Sequence, residues 1–212
     1  DRTPVSVALM HRFVPVLEDL TGVPLLPALV EHILLFRLAG WHTDTGHAVP
    51  SVKAVAYLEE VDEHSGALRV LPGSQRLDER VLVDLLHSQV FRDDDTYEAA
   101  IAAVPAHVVA TRPGDVIVFD EHLWHASHGG RNRHQWSACL VLDPSTAEEE
   151  LSVRQFLASQ FGDHDDIDYD PTHYPVYGRG VREDCPPRWY PQLERLGAVE
   201  AATVEQCGAT LK

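Results

Sequence analysis

The sequence is poor in the features that mark exported or membrane-bound proteins. It contains three cysteines, an odd number without metal-ligand spacing, and this usage favours a reducing cytoplasm over an oxidising compartment. No apolar run approaches the length of a membrane span, and the longest, around residues 33–36, ends at Arg37. We find no signal peptide. These absences predict a cytoplasmic protein that has no membrane partner.

Positive charge is also scarce. Lys and Arg together number 17 against 33 Asp and Glu, so the formal net charge is −16. An acidic surface repels nucleic acid and anionic lipid, which leaves a small molecule or a protein as the expected partner. The sequence also lacks the glycine-rich loop that cradles phosphates and the serine-centred elbow of hydrolases.

The pattern of apolar residues predicts one domain, 1–212, with a core at about 31–143 and C-terminal helices and a lid at about 147–212. Short strands flanked by helices favour a mainly β fold of the jelly-roll, cupin-like type. We predict helices near 5–20, 78–89, 97–104, 148–161 and 189–196, strands near 31–38, 52–58, 67–71, 122–127 and 135–142, a hairpin of 107–111 with 116–119, and a long loop or lid at 163–187.

The most informative motif is His42-Thr43-Asp44 with a distant His125, each histidine preceded by a tryptophan. Residues i and i+2 of an extended backbone point the same way, so His42 and Asp44 can bind the same metal ion. A His-x-Asp pair with a remote histidine is the pattern of a two-His-one-carboxylate iron(II) site, which leaves metal positions open for oxygen chemistry. The motif predicts His42, Asp44 and His125 as metal ligands and catalytic residues.

The same pattern can also arise by chance. The chain has 13 histidines, so a His-x-Asp can occur without a metal. His122, His125 and His128 recur at a spacing of three, which also fits a solvated helical face or an unrelated zinc site.

A wider set of motifs favours the iron site. Trp41 to Gly46, Ala54 to Leu58, Gly66 to Ser74, Pro113 to Val116 and His125 to Ser127 follow in an order and spacing that resemble the phytanoyl-CoA dioxygenase family. The resemblance covers roughly residues 36–142. It implies a double-stranded β-helix that uses Fe(II), 2-oxoglutarate and O2, and His42, Asp44 and His125 match the iron ligands of the family.

The resemblance also implies an arginine that binds 2-oxoglutarate, because a guanidinium pairs with a carboxylate through two hydrogen bonds. Many family members carry it at the position that Trp136 occupies here. Arg133 and Arg131, just upstream, are the candidates for this cofactor-binding role. Either arginine could instead belong to a solvated hairpin turn.

These inferences predict a non-haem iron, 2-oxoglutarate-dependent oxygenase that acts on a small organic molecule, with secondary metabolism as one setting. Related halogenases carry a small residue at the carboxylate position, so Asp44 favours hydroxylation or desaturation. Two alternatives stay open: a cupin-like metal-dependent isomerase or hydrolase that does not use 2-oxoglutarate, and a non-catalytic β-domain that binds a ligand.

Overall fold

The structure is a computed structural model that describes residues 4–35, 38–77, 97–130, 132–161 and 188–196. Its helices are α1 (Pro4–Thr21), α2 (Tyr97–Ala103), α3 (Ala147–Phe161) and α4 (Trp189–Arg195), and Ser74–Arg76 form a 3-10 turn. Its strands are β1 (Leu25–Leu35), β2 (Ala39–His42), β3 (Ser51–Tyr57), β4 (Leu68–Val70), β5 (His107–Val109), β6 (Ile117–Asp120), β7 (His125–Ser127) and β8 (Arg133–Leu142). The predicted helix at 78–89, the lid at 163–187 and Arg131 lie outside the described residues.

The strands of the described residues form two four-stranded sheets, in the orders β1-β8-β3-β6 and β2-β7-β4-β5. The registered pairs β2–β7, β3–β6, β4–β5 and β4–β7 are all antiparallel. Consecutive strands often lie in different sheets, which is the connectivity expected of a jelly roll. The mainly β prediction with flanking helices is confirmed.

The predicted hairpin between β5 and β6 is wrong. β5 pairs with β4, and β6 pairs with β3 in the other sheet. The turn at 112–115 does form, with Gly114 at φ +102° and the Asp115 amide donating to the Arg112 carbonyl at 2.9 Å. This turn connects β5 in one sheet to β6 in the other. Burial within its own sheet stabilises each short strand more than pairing with its neighbour in sequence would.

Strand β1 begins earlier than predicted. The predicted strand began at residue 31, but β1 starts at Leu25 and contains Pro27. β1 is an edge strand of its sheet. Proline has no amide hydrogen, and an edge strand can present that position to the side that has no neighbouring strand.

The chain divides into two compact units, Asp1–Leu29 with Val141–Lys212, and Val30–Leu140. In the first unit the buried side chains include Leu17 of α1, Phe156 of α3 and Trp189 of α4. In the second, residues from both sheets share one apolar cluster that includes Tyr57, Leu68 and Phe119. No helix in the described ranges is long and apolar enough to cross a membrane.

A smaller apolar cluster of the second unit covers the outer side of β2 and β7. It contains Trp41, Trp124, Ala126 and Ile101 of α2, and all four are buried. The Trp41 indole donates to the Ile101 carbonyl at 3.4 Å. Because side chains alternate along a strand, the burial of Trp41 and Trp124 on this side turns the following histidines to the opposite side.

Candidate metal centre

The two histidines of the motif are direct cross-strand neighbours. His42 closes β2 and His125 opens β7, and the two residues are register partners in the antiparallel pair. Directly opposite residues point to the same side of a sheet, and the ring centroids lie 4.2 Å apart. Asp44 follows after the strand, where its amide donates to the Glu121 carbonyl at 2.9 Å. This bond holds the loop that carries Asp44 against the chain that leads into β7.

Backbone carbonyls select the same tautomer for both rings. His42 Nδ1 lies 2.7 Å from the Gly40 carbonyl oxygen, and His125 Nδ1 lies 2.9 Å from that of Leu123. A carbonyl oxygen only accepts, so each Nδ1 carries the proton and each Nε2 presents its lone pair. A carbonyl behind a ligating imidazole is the usual support that orients it towards a metal.

The three side chains converge with their acceptor atoms facing one another. His42 Nε2 lies 3.7 Å from Asp44 Oδ1, and His125 Nε2 lies 3.5 Å from Asp44 Oδ2. One ligand atom from each residue lies within 4.8 Å of the others, and no other group in the described residues offers three such ligands. Asp44 Oδ2 is buried without a hydrogen-bond partner. Facing lone pairs repel each other, and a cation between them would satisfy all three groups, so this donor set fits a divalent metal.

Burial gives the centre a closed side and an open side. The side chain of His125 is 7% exposed and that of Asp44 13%, while His42 is 44% exposed. Burial lowers the pKa of His125 to about 4. The ring is therefore neutral at pH 7 and available as a ligand, and a small molecule can approach from the side of His42.

Two further ionisable groups, Lys53 and Glu121, lie against the centre. Lys53 Nζ on β3 lies 3.2 Å from Asp44 Oδ1. Glu121 is fully buried, and burial raises its pKa to about 7, with the charge of Asp44 adding to the shift. Burial also raises the pKa of the Cys139 thiol, which interacts with Glu121. Glu121 was not predicted as a site residue, although its position between a predicted strand and His125 indicated that it would lie near the candidate ligands.

Arg133 is a buried residue rather than part of a solvated turn. It opens β8 and is 3% exposed, and burial lowers its pKa. Its guanidinium donates to the Gly66 carbonyl and, at 3.2 Å, to Ser127 Oγ, and it lies 5.9 Å from the centroid of the Tyr57 ring. Trp136, at the position where many relatives carry arginine, is also buried.

Ser127 connects this arginine to the metal centre. Ser127 and His125 are two residues apart on β7 and point to the same side, with Cα atoms roughly 7 Å apart at ordinary strand rise. Arg133 therefore lies on the side of β7 that carries His125.

Residues 37–135 match the family model described as phytanoyl-CoA dioxygenase. This part of the chain is similar to the phytanoyl-CoA dioxygenase family. The match contains His42, Asp44, His125, Arg133 and Lys53. No curated protein matches the chain.

Solved structures of other proteins are similar in fold to this chain. HygX from Streptomyces hygroscopicus, with nickel and 2-oxoglutarate bound, has a TM-score of 0.51 at 17% identity, over 69% of this chain and 72% of HygX. EctD from S. alaskensis has a TM-score of 0.49 at 23% identity, over 66% and 54%. AviO1 from Streptomyces viridochromogenes Tue57 has 0.47 at 21%, over 63% and 58%. The chain thus spans less than two thirds of EctD and AviO1. The HygX match confirms the predicted jelly-roll fold.

A histidine bridge supports the loop that follows Asp44. His122 Nδ1 lies 2.6 Å from Asp120 Oδ1, and its Nε2 lies 2.7 Å from the His47 carbonyl oxygen. Both partners accept, so the bridge is complete only when both ring nitrogens carry protons. Burial opposes that charge, but the bond to the His47 carbonyl and the bond and charge of Asp120 outweigh it, and the pKa of His122 is raised.

We expect the bridge to stabilise the fold most at mildly acidic pH. The folded pKa lies above the unfolded value of about 6.5, so its contribution is complete below that value and declines as the pH rises through the folded pKa. Replacing His122 by Gln should lower the free energy of unfolding by about 1 kcal/mol at pH 5.5 and by less at pH 8.5. Urea unfolding at both pH values measures this, and a deficit that grows with pH would contradict the assignment. His64→Gln, at a side chain that is 84% exposed, is the matched control.

Proposed function

We propose that the chain is an Fe(II)- and 2-oxoglutarate-dependent oxygenase that hydroxylates or desaturates a small organic molecule with O2. The observation that carries the proposal is the convergence of the two imidazole rings on Asp44, whose buried Oδ2 has no hydrogen-bond partner. His42, Asp44 and His125 would hold the iron. Bound iron with 2-oxoglutarate and O2 supplies the oxidising chemistry, and the protein supplies position and a dry environment.

Each residue of the site has a separate task in this proposal. The carbonyls of Gly40 and Leu123 keep both imidazole lone pairs aimed at the metal position. The Arg133 guanidinium binds the distal carboxylate of 2-oxoglutarate, in a buried position where a charge-assisted pair is strong. The more exposed His42 leaves room for the substrate on its side. HygX, whose fold this chain shares, was crystallised with nickel and 2-oxoglutarate, which supports the choice of co-substrate.

The proposal includes a cytoplasmic location and a small-molecule partner. The buried thiol of Cys139 and the low cysteine count fit a reducing cytoplasm. The net charge of −16 favours a small-molecule substrate over nucleic acid or an anionic membrane.

The decisive experiment measures succinate. Protein loaded with Fe(II) under nitrogen and then exposed to O2 with ascorbate should convert 2-oxoglutarate to succinate and CO2 slowly without substrate. The co-substrate supplies two of the four electrons that reduce O2, and ascorbate supplies the other two in place of a substrate. His125→Ala should abolish the product, and His64→Ala, at an exposed histidine, should retain it.

Two outcomes would contradict the proposal. Metal-dependent conversion of a substrate without consumption of 2-oxoglutarate would favour an isomerase or hydrolase. Equal iron affinity of the parent and of His125→Ala would favour a non-catalytic β-domain.

A further inference from the structure

Lys53 places an ammonium group inside the metal centre. On β3 it is the register partner of Phe119 on β6, and directly opposite residues point to the same side of the sheet. The Phe119 ring lies 4.9 Å from the His125 ring, so this side is the one that carries the candidate ligands. The Lys53 side chain is 15% exposed, and its Nζ lies 3.2 Å from Asp44 Oδ1.

A metal ion and this ammonium compete for one carboxylate. Asp44 is the only negative group in the three-ligand set, and Lys53 already interacts with its Oδ1. A divalent ion held by Oδ2 and both imidazoles would draw the charge of Asp44 to itself and would repel the nearby ammonium. A largely buried cation needs a counter-charge, so metal binding should make Lys53 ready to bind an incoming anion.

The second cation of the site lies at the other end of the same strand face. Lys53 and Tyr57 are four residues apart on β3 and therefore point to the same side. The Tyr57 ring lies beneath Arg133, while Lys53 lies beside Asp44. This pocket thus carries two positive side chains within a protein of net charge −16. Two cations at two ends match a ligand that has two carboxylates.

We propose that Lys53 binds the carboxylate next to the keto group of 2-oxoglutarate when Asp44 coordinates the metal. Arg133 then binds the distal carboxylate. This inference rests on the proposed function and assigns Lys53 a binding role within it. It also predicts effects of opposite sign, because the lysine disfavours the metal and favours the co-substrate. The neighbouring Glu121 is the competing anion for Lys53, and the experiment separates the two possibilities.

The test uses Ni(II), which binds without redox turnover, and calorimetry on the parent and on Lys53→Met. The variant keeps the length of the side chain and removes its charge. We expect Lys53→Met to bind Ni(II) several-fold more tightly and to bind 2-oxoglutarate about tenfold or more weakly in the nickel-loaded form, the usual range for a lost charge-assisted hydrogen bond. Lys53→Met should bind 2-oxobutanoate, which has no distal carboxylate, more weakly by the same factor. Arg133→Met should lower the affinity for 2-oxoglutarate and leave the affinity for 2-oxobutanoate unchanged.

Three results would overturn the inference. Unchanged affinity of Lys53→Met for both 2-oxo acids would mean that Lys53 pairs with Glu121 instead. If Lys53→Met binds nickel and both 2-oxo acids more weakly, the role of Lys53 is structural. In that case Lys53→Arg, which keeps the charge, should not restore binding of the two acids. Nickel binding without any 2-oxo acid binding by the parent would overturn the proposed function, and the inference with it. Thermal unfolding of each variant confirms that it folds.

Discussion

Replacing Asp44 by alanine should remove metal binding and succinate formation together. Asp44 is the only carboxylate among the three candidate ligands, and its two oxygens face His42 and His125. Loss of a supporting group behind a ligand costs about 10–100-fold in metal affinity, so loss of the ligand itself should cost more than about a hundredfold. Calorimetric titration with Ni(II) measures the first effect, and succinate formation by the Fe(II)-loaded protein measures the second.

The control for Asp44→Ala is a carboxylate outside the candidate centre. Asp19→Ala removes an exposed carboxylate from α1 and should leave both measurements unchanged. Asp44→Ala removes Oδ2, which has no hydrogen-bond partner, and Oδ1, which accepts from Lys53 at 3.2 Å, so thermal unfolding must establish that the variant folds. Parent-like nickel affinity in the folded Asp44→Ala protein would show that the metal binds elsewhere.

Replacing Gly66 by alanine should disable the Arg133 pocket while leaving the sheets intact. A Cβ at Gly66 would lie 2.7 Å from Arg133 Cζ and 2.8 Å from its Nη1. The guanidinium is the movable end of a side chain, so it should shift and lose its bond to Ser127 and its place in the pocket. We expect the affinity of the nickel-loaded protein for 2-oxoglutarate to fall more than about tenfold, as for loss of a charge-assisted pair.

Gly73 provides the matched control for this change. Gly66 and Gly73 have similar positive φ angles, +94° and +90°, so alanine at either position strains the backbone by about 1–3 kcal/mol. A Cβ at Gly73 meets nothing within 4 Å. Thermal unfolding should show comparable destabilisation of the two variants, and only Gly66→Ala should lose 2-oxoglutarate. Equal retention of 2-oxoglutarate by both would exclude Arg133 as its anchor.

Local pattern predicted most elements of the fold. Helical periodicity predicted α1 and α3, and alternation predicted β3, β4 and β8, because these signals lie in adjacent residues. The pairing of β5 and β6 was predicted wrongly from their closeness in sequence. Pairing depends on which sheet buries each strand, and this information is spread over distant residues. The edge position of β1, which tolerates Pro27, is likewise a property of the whole sheet.

The sequence by itself determined the chemical character of the candidate centre. Histidines occupy positions 42 and 125 and an aspartate occupies position 44, and these residue types decide which metals they suit, whatever the fold. The tertiary structure alone decided what surrounds them. Antiparallel register makes His42 and His125 neighbours, sheet pairing brings Lys53 to Asp44, and burial makes Arg133 an interior cation rather than a turn residue. Charge, burial and distance between residues far apart in sequence arise only when the chain folds, because they depend on contacts that no local segment contains.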